Sequence, residues 1–265
     1  FIRLILNHIA SEDQSMLVST FLGYLYGFTF TYTAAEHREA TIDEVANAMW
    51  ELIVAAMPGS DIQLQLVTWY GKFVRTAEHQ DHLKQLLSGE LVIPGLDLGN
   101  DLRWDLLIAL ASAGAISQAE IDAEYTKDST ANGQKGAASA SAALIDPAAK
   151  LATWNTVVTT DDYSNAQASA ACLDFGRALH PQALEPFVEL YFRDAQKIWE
   201  TKTYKMAEYL LERLYPINLA THDLADRTKE YLAAHPNLDR AMKRMIVENL
   251  SSLERALAAQ KLDRR

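Results

Sequence analysis

The sequence predicts an all-α protein, a HEAT-like α-superhelix or α-solenoid built from antiparallel helix pairs, on three observations. Gly and Pro account for only 11 and 7 of 265 residues while 40 are Ala, the residue that loses least on entering a helix. No segment alternates apolar and polar residues for long enough to read as a strand. Helix-start signals recur along the whole chain with connections of only a few residues between them, so neighbours in sequence pack antiparallel. The starts are irregularly spaced, which excludes a strict tetratricopeptide or ankyrin period and favours a degenerate HEAT-like array.

The elements follow in order. Gln14 to Ala35 carries no charge, but its Ser, Thr and Gln side chains suit a lipid-facing span poorly, so a buried helix is expected. Three capping boxes then mark helix starts: Thr41-Ile42-Asp43-Glu44, Ser60-Asp61-Ile62-Gln63 and Ser117-Gln118-Ala119-Glu120, each just ahead of an apolar-periodic run. Between the second and third lies a connector, Gly89 to Asn100, whose Leu91, Val92, Ile93 and Leu96 predict a packed loop. Asn100 reads as a cap for the helix that follows. Asp146-Pro147 is a cap with Pro in the first turn, where its missing N–H costs nothing. Ser164 opens a helix over Asn165 to Phe175, with helix also read from Leu173 to His180, up to Pro181. Further helices are expected from about Pro181 to Glu200, Tyr204 to Tyr215, Asp223 to Ala234 and Asp239 to the C-terminus.

Composition bounds the function. The apolar fraction of 49% supports a large core, and a net charge of −11 argues against a protein built to grip a phosphate backbone. The single cysteine, Cys172, sits among alanines and reads as a small core residue; with no disulfide and no leader peptide, a cytoplasmic location is expected. The chain opens on Phe1 inside a helical pattern, which suggests that residues 1–265 are one domain cut from something longer.

Catalytic motifs are absent. None of the seven histidines begins His-Glu-x-x-His, the spacing that sets two imidazoles and a general base around zinc. His79 and His82 lie three apart and could share a metal, but no third ligand is suggested and exposed polar histidines are the simpler reading. Asn132-Gly133-Gln134-Lys135-Gly136 resembles a phosphate loop superficially, yet follows no strand. No nucleophile elbow occurs, and Glu120, Asp122, Glu124 and Asp128 read as a solvated helix face. From Asn237 onward Arg240, Lys243, Arg244, Arg255, Lys261, Arg264 and Arg265 outnumber four acids, and Arg244 with Glu248 forms an i,i+4 pair. No catalytic, metal-binding or cofactor-binding residue is assigned.

Several clusters taken in order are more specific. Leu102-Arg103-Trp104, Ala123-Glu124-Tyr125-Thr126-Lys127-Asp128-Ser129-Thr130-Ala131-Asn132-Gly133, Lys150 with Trp154, Tyr191 with Trp199, Leu214-Tyr215-Pro216 and Arg255 to Gln260 together resemble the C-terminal helical, ERAP1-like domain of the M1 zinc aminopeptidases, of the bacterial aminopeptidase N type found in actinobacteria. The resemblance covers nearly the whole chain. It implies a non-catalytic bowl that closes over a separate thermolysin-like domain, walls the cavity and meets the far end of the peptide. Zinc would then belong to that catalytic domain of the parent chain and not to these residues. The implied partners are the catalytic domain and a peptide substrate, with no nucleic acid and no membrane. Within this chain, Arg103, Trp104, Asp128, Thr130, Lys150 and Trp154 are expected to be structural, Lys150 stacking on Trp154. The competing reading is a free-standing α-solenoid that binds a protein through its concave face.

Overall fold

The computed structural model describes residues 1–177 and 179–264, and among these residues the protein is wholly helical. Fourteen α-helices follow one another: α1 (Ile2–His8), α2 (Ser15–Gly27), α3 (Ala35–Ala55), α4 (Asp61–Tyr70), α5 (Ala77–Ser88), α6 (Asn100–Ser112), α7 (Gln118–Lys127), α8 (Ala131–Ala143), α9 (Pro147–Thr159), α10 (Asn165–Phe175), α11 (Glu185–Thr201), α12 (Tyr204–Arg213), α13 (His222–Ala234) and α14 (Arg240–Asp263). Each odd-numbered helix packs on the even-numbered helix that follows it, making seven hairpins. The even helices also pack side by side in chain order, α2 on α4 and so on to α14, which is the stacking of a solenoid. Contact is closest where α8 lies between α6 and α10. The small residues of α8 permit this, and at Gly136 a Cβ would overlap the Trp104 indole of α6.

The core runs through the stack in three connected stretches. Leu22, Met49, Tyr70 and Phe73 anchor the first, Trp104, Ile108 and Ile121 the middle, and Trp154, Phe175, Tyr191, Leu210 and Met245 the last. Cys172 is 1% exposed within the last stretch, as its alanine neighbours suggested.

Most helix starts are set locally. The Ser60 hydroxyl accepts from Gln63 N at 3.1 Å, the Asp146 carboxylate from Ala149 N at 2.9 Å, and Ser164 forms a reciprocal box with Gln167. At Ser117 the Glu120 carboxylate accepts from the Ser117 amide at 2.7 Å. Thr41 departs from expectation. It lies in the middle of α3, its hydroxyl donating to the His37 carbonyl at 2.8 Å. The helix starts six residues earlier because Asp263, at the end of α14, accepts from the Ala34 amide at 2.9 Å and supplies from the far end of the chain the cap that Ala34 lacks.

Among the described residues that contact is one of four polar links between the end of α14 and residues 31–37, where His37 Nδ1 also lies 3.1 Å from the Asp263 carboxylate. Gln260 donates to the Thr31 carbonyl at 2.9 Å, and Arg264 pairs with Glu36 at 3.0 Å. Thr31 belongs to a π-helical turn, Phe28–Tyr32, that extends α2.

Five other expectations are corrected. The uncharged stretch from Gln14 is not a buried helix throughout: Met16 and Tyr24 of α2 are exposed. In the connector before α6, Ile93 is buried but Val92 points to water, and Asn100 is the first helical residue after Gly99 and not a cap. Helix does not run from Leu173 to His180, since α10 ends at Phe175 and Gly176 leads the chain away, while Ala178 lies outside the described residues. After Pro181 a short 3-10 turn precedes the α-helix, which begins at Glu185. Arg265 is also outside the described residues; Arg244 and Glu248 do approach, to 3.9 Å.

Candidate functional site

A groove of about 870 Å³ lies between the start of α3 and the facing sides of α13 and α14, where the last hairpin comes back to the early part of the chain. Arg38, Lys229, Lys261 and Arg264 line it with His222, against one acid, Glu254, so the groove is basic in an acidic protein. Lys229 is paired with Glu254 at 2.9 Å and Arg264 with Glu36. Arg38 is held less completely: one terminal nitrogen donates to the Thr33 carbonyl at 3.2 Å while its buried Nε has no partner. Burial accordingly pulls the Arg38 pKa below its ordinary value. On the opposite wall Ala220 adopts a left-handed conformation, φ 46°, immediately before Thr221 caps α13 by accepting from Leu224 N. A left-handed Ala is strained, and here it turns the chain into the first turn of α13 at the groove. Such a site suits a negatively charged group.

No local signal in the sequence marks this groove, because its walls come from residues about two hundred positions apart. In the sequence Lys261 and Arg264 stand out only as cations near a helix end.

The residues that the sequence did single out are spread over the molecule and serve packing. His79 and His82 are not exposed. His79 is 2% exposed, its Nε2 2.9 Å from Asn47 Oδ1; His82 stacks on Trp50 at 3.8 Å and its Nδ1 lies 2.9 Å from the Tyr70 hydroxyl. Burial lowers the pKa of both. Among the described residues no group of three His, Cys, Asp or Glu side chains could hold a metal.

Glu124 is likewise not on a solvated face. Arg103 of α6 holds its carboxylate through two bonds, at 2.5 and 3.0 Å, and Lys127 adds a third at 2.9 Å; the Arg103 bonds first, then Lys127, keep it below the usual carboxylate range. Arg103 also donates to the Leu87 carbonyl at the end of α5, so one guanidinium ties three helices. Asp128 ends α7 and Thr130 caps α8, as expected. The Asp128 carboxylate accepts from the Thr130 hydroxyl at 2.7 Å and from the Trp104 indole at 2.9 Å, bonds that lower its pKa. The glycines beside it open no phosphate loop, since a Cβ at Gly133 would overlap the Asp128 carbonyl.

Lys150 does not stack on Trp154. It is 3% exposed, donates to the carbonyls of Ala142 and Phe175 at 2.8 and 2.7 Å, and lies over the Phe175 ring. Its charge thus meets the C-terminal ends of α8 and α10, where helix dipoles favour a cation. Burial nevertheless pushes its pKa down to about 7. Trp154, fully buried, donates instead to Asp194 at 3.2 Å. Tyr191 is buried and donates to the Leu211 carbonyl, while Trp199 packs edge-on against Tyr204.

The family model described as the ERAP1-like C-terminal domain matches residues 1–255. Aminopeptidase N of Streptomyces lividans is 34% identical over 264 residues, covering 99% of this chain and 31% of the relative. The chain therefore spans about a third of the length of the curated relative that it matches. Among the described residues no helix is long and apolar enough to cross a membrane.

Proposed function

The chain belongs to the ERAP1-like C-terminal domain family, and from that premise we propose that residues 1–265 are one non-catalytic domain of a zinc aminopeptidase that removes N-terminal residues from peptides in the cytoplasm. The observation that carries this reading is the alignment of almost the whole chain with a third of an aminopeptidase N. The metal and the hydrolytic groups then lie in the rest of the polypeptide, in keeping with the packing roles of His79, His82 and Glu124 here. The solenoid encloses the active-site cavity and limits which peptides enter. Enclosure of this kind admits flexible chains and rejects folded ones, because a concave wall leaves room for only a narrow substrate. The basic groove between α3 and the last hairpin is the part of the wall suited to the carboxylate at the far end of a peptide.

Expression of the reading frame that contains Phe1 together with its upstream sequence, beside residues 1–265 alone, tests the assignment. Aminoacyl-arylamide hydrolysis and bound zinc should appear in the long chain and be absent from the short one. Hydrolysis by the short chain, or an upstream sequence without a zinc-binding pair of histidines, would sink it.

A further inference from the structure

The groove between α3 and the last hairpin carries more positive charge than its carboxylates cancel. Of the four Lys and Arg side chains that line it, Lys229 is matched by Glu254 at 2.9 Å and Arg264 by Glu36 at 3.0 Å. Arg38 and Lys261 have no carboxylate partner among the described residues; Arg38 makes its single bond to the Thr33 carbonyl, and Lys261 makes none. Asp263 is near in sequence, but its carboxylate is held at the Ala34 amide and beside His37 and does not line the groove. The chain has 35 Asp and Glu residues, yet among the described residues Glu254 alone of them faces this space, so the excess of cations is local and runs against the charge of the protein. Arg38 is also incompletely used, since its Nε–H is buried and meets no acceptor, a destabilising state for a donor. Like charges gathered in a cleft repel one another, and a counter-ion relieves the repulsion.

We propose that this groove is a binding site for a divalent oxyanion of the phosphate class, held between Arg38 and Lys261 with Arg264 at its edge. Two unmatched cations call for two negative charges. A tetrahedral oxyanion offers acceptors to both walls at once, to the guanidinium fork of Arg38 on α3 and to the ammonium of Lys261 on α14. The peptide carboxylate proposed above has one charge and leaves the second cation uncompensated, so it is the weaker ligand here. The oxyanion also does something a rim charge cannot. Bridging two helices that come from opposite parts of the chain, it binds only when the last turn of α14 lies against the start of α3, and it therefore stabilises that contact. The site goes beyond the aminopeptidase reading and does not depend on it.

The test uses the full-length polypeptide that contains residues 1–265, dialysed to equilibrium against labelled inorganic phosphate in chloride buffer of fixed ionic strength. A single phosphate per chain should bind saturably, and Arg38→Gln and Lys261→Gln should each weaken it by about tenfold or more, as loss of a charge-assisted bond does. Lys261 is exposed and unpaired, so its variant keeps the test decisive even where Arg38→Gln unfolds. Phosphate should also slow amide exchange in the last turn of α14 and the first turn of α3 of the wild type, and not in Lys261→Gln. Absence of saturable binding would overturn the site, and so would binding that Lys261→Gln leaves unchanged, the mark of an adventitious ion elsewhere. A peptide with a free carboxyl end and its C-terminal amide, added as competitors, separate the two readings of the groove. Bound phosphate that neither displaces upholds the oxyanion site and removes the peptide-carboxylate reading alone; a bound free-acid peptide with no phosphate binding does the reverse.

Discussion

Lys150 shows how a charged side chain can be structural and still respond to pH. Its ammonium satisfies two helix-end carbonyls, yet sits where burial brings its pKa from 10.5 to about 7. The lowered value means that the unfolded chain holds the proton more tightly than the folded one. Between about pH 7 and 10.5 the unfolded state therefore binds more protons, and stability rises with pH by up to about 1.4 kcal/mol per unit; below pH 7 both states are protonated and this slope disappears. Urea unfolding of the wild type and Lys150→Met at pH 7 and 9 should show the wild type gaining on the variant as pH rises. A constant difference would mean that the group keeps an ordinary lysine pKa. The sequence named Lys150 but paired it with Trp154, four residues away on the same helix. The true partners, Ala142 and Phe175, are carbonyls at the ends of other helices, and no side-chain pattern reveals a carbonyl.

At the scale of the helix, starts were legible where the capping group is a near neighbour in sequence. Ser60, Ser117, Asp146 and Ser164 each open a helix as their spacing suggests. Thr41 carries the same pattern and opens nothing, because Asp263 caps α3 from across the molecule and the Glu-rich segment ahead of Thr41 is itself good helix sequence. Chemical denaturation should separate the two cases. Ser60→Ala should lose about 1 kcal/mol, the usual cost of a missing cap, whereas Thr41→Ala should gain a few tenths. Asp263→Ala should cost about 1 kcal/mol as well, and its signature is remote. Amide exchange should quicken at Ala34 and through the first turn of α3, more than 200 residues from the substitution. Unchanged exchange there would show that α3 starts without the distant carboxylate.

Across the whole molecule, fold class was the most legible property, since alanine content, the scarcity of Gly and Pro, and short connections all point one way. The stacking order of the even helices was not readable, because an irregular repeat offers no register to align. The groove was equally hidden: Arg38 and Lys261 look like ordinary surface cations until α14 returns to the start of α3. In the parent enzyme Lys261→Glu should raise KM for peptides long enough to reach the groove by about three- to tenfold, as loss of a rim charge does, and leave single-residue arylamides unaffected. Equal effects on both would place the groove outside the substrate's path.

The bond from Asp263 to Ala34 also has a consequence in time. Donor and acceptor are 229 residues apart, and at about 5–20 residues per second a ribosome needs roughly ten to fifty seconds to travel between them. During that interval the first long helix exists without its terminal carboxylate, and Gln260 has yet to meet the π-helical turn. The stack therefore cannot close through these contacts until residues 260–264 are made.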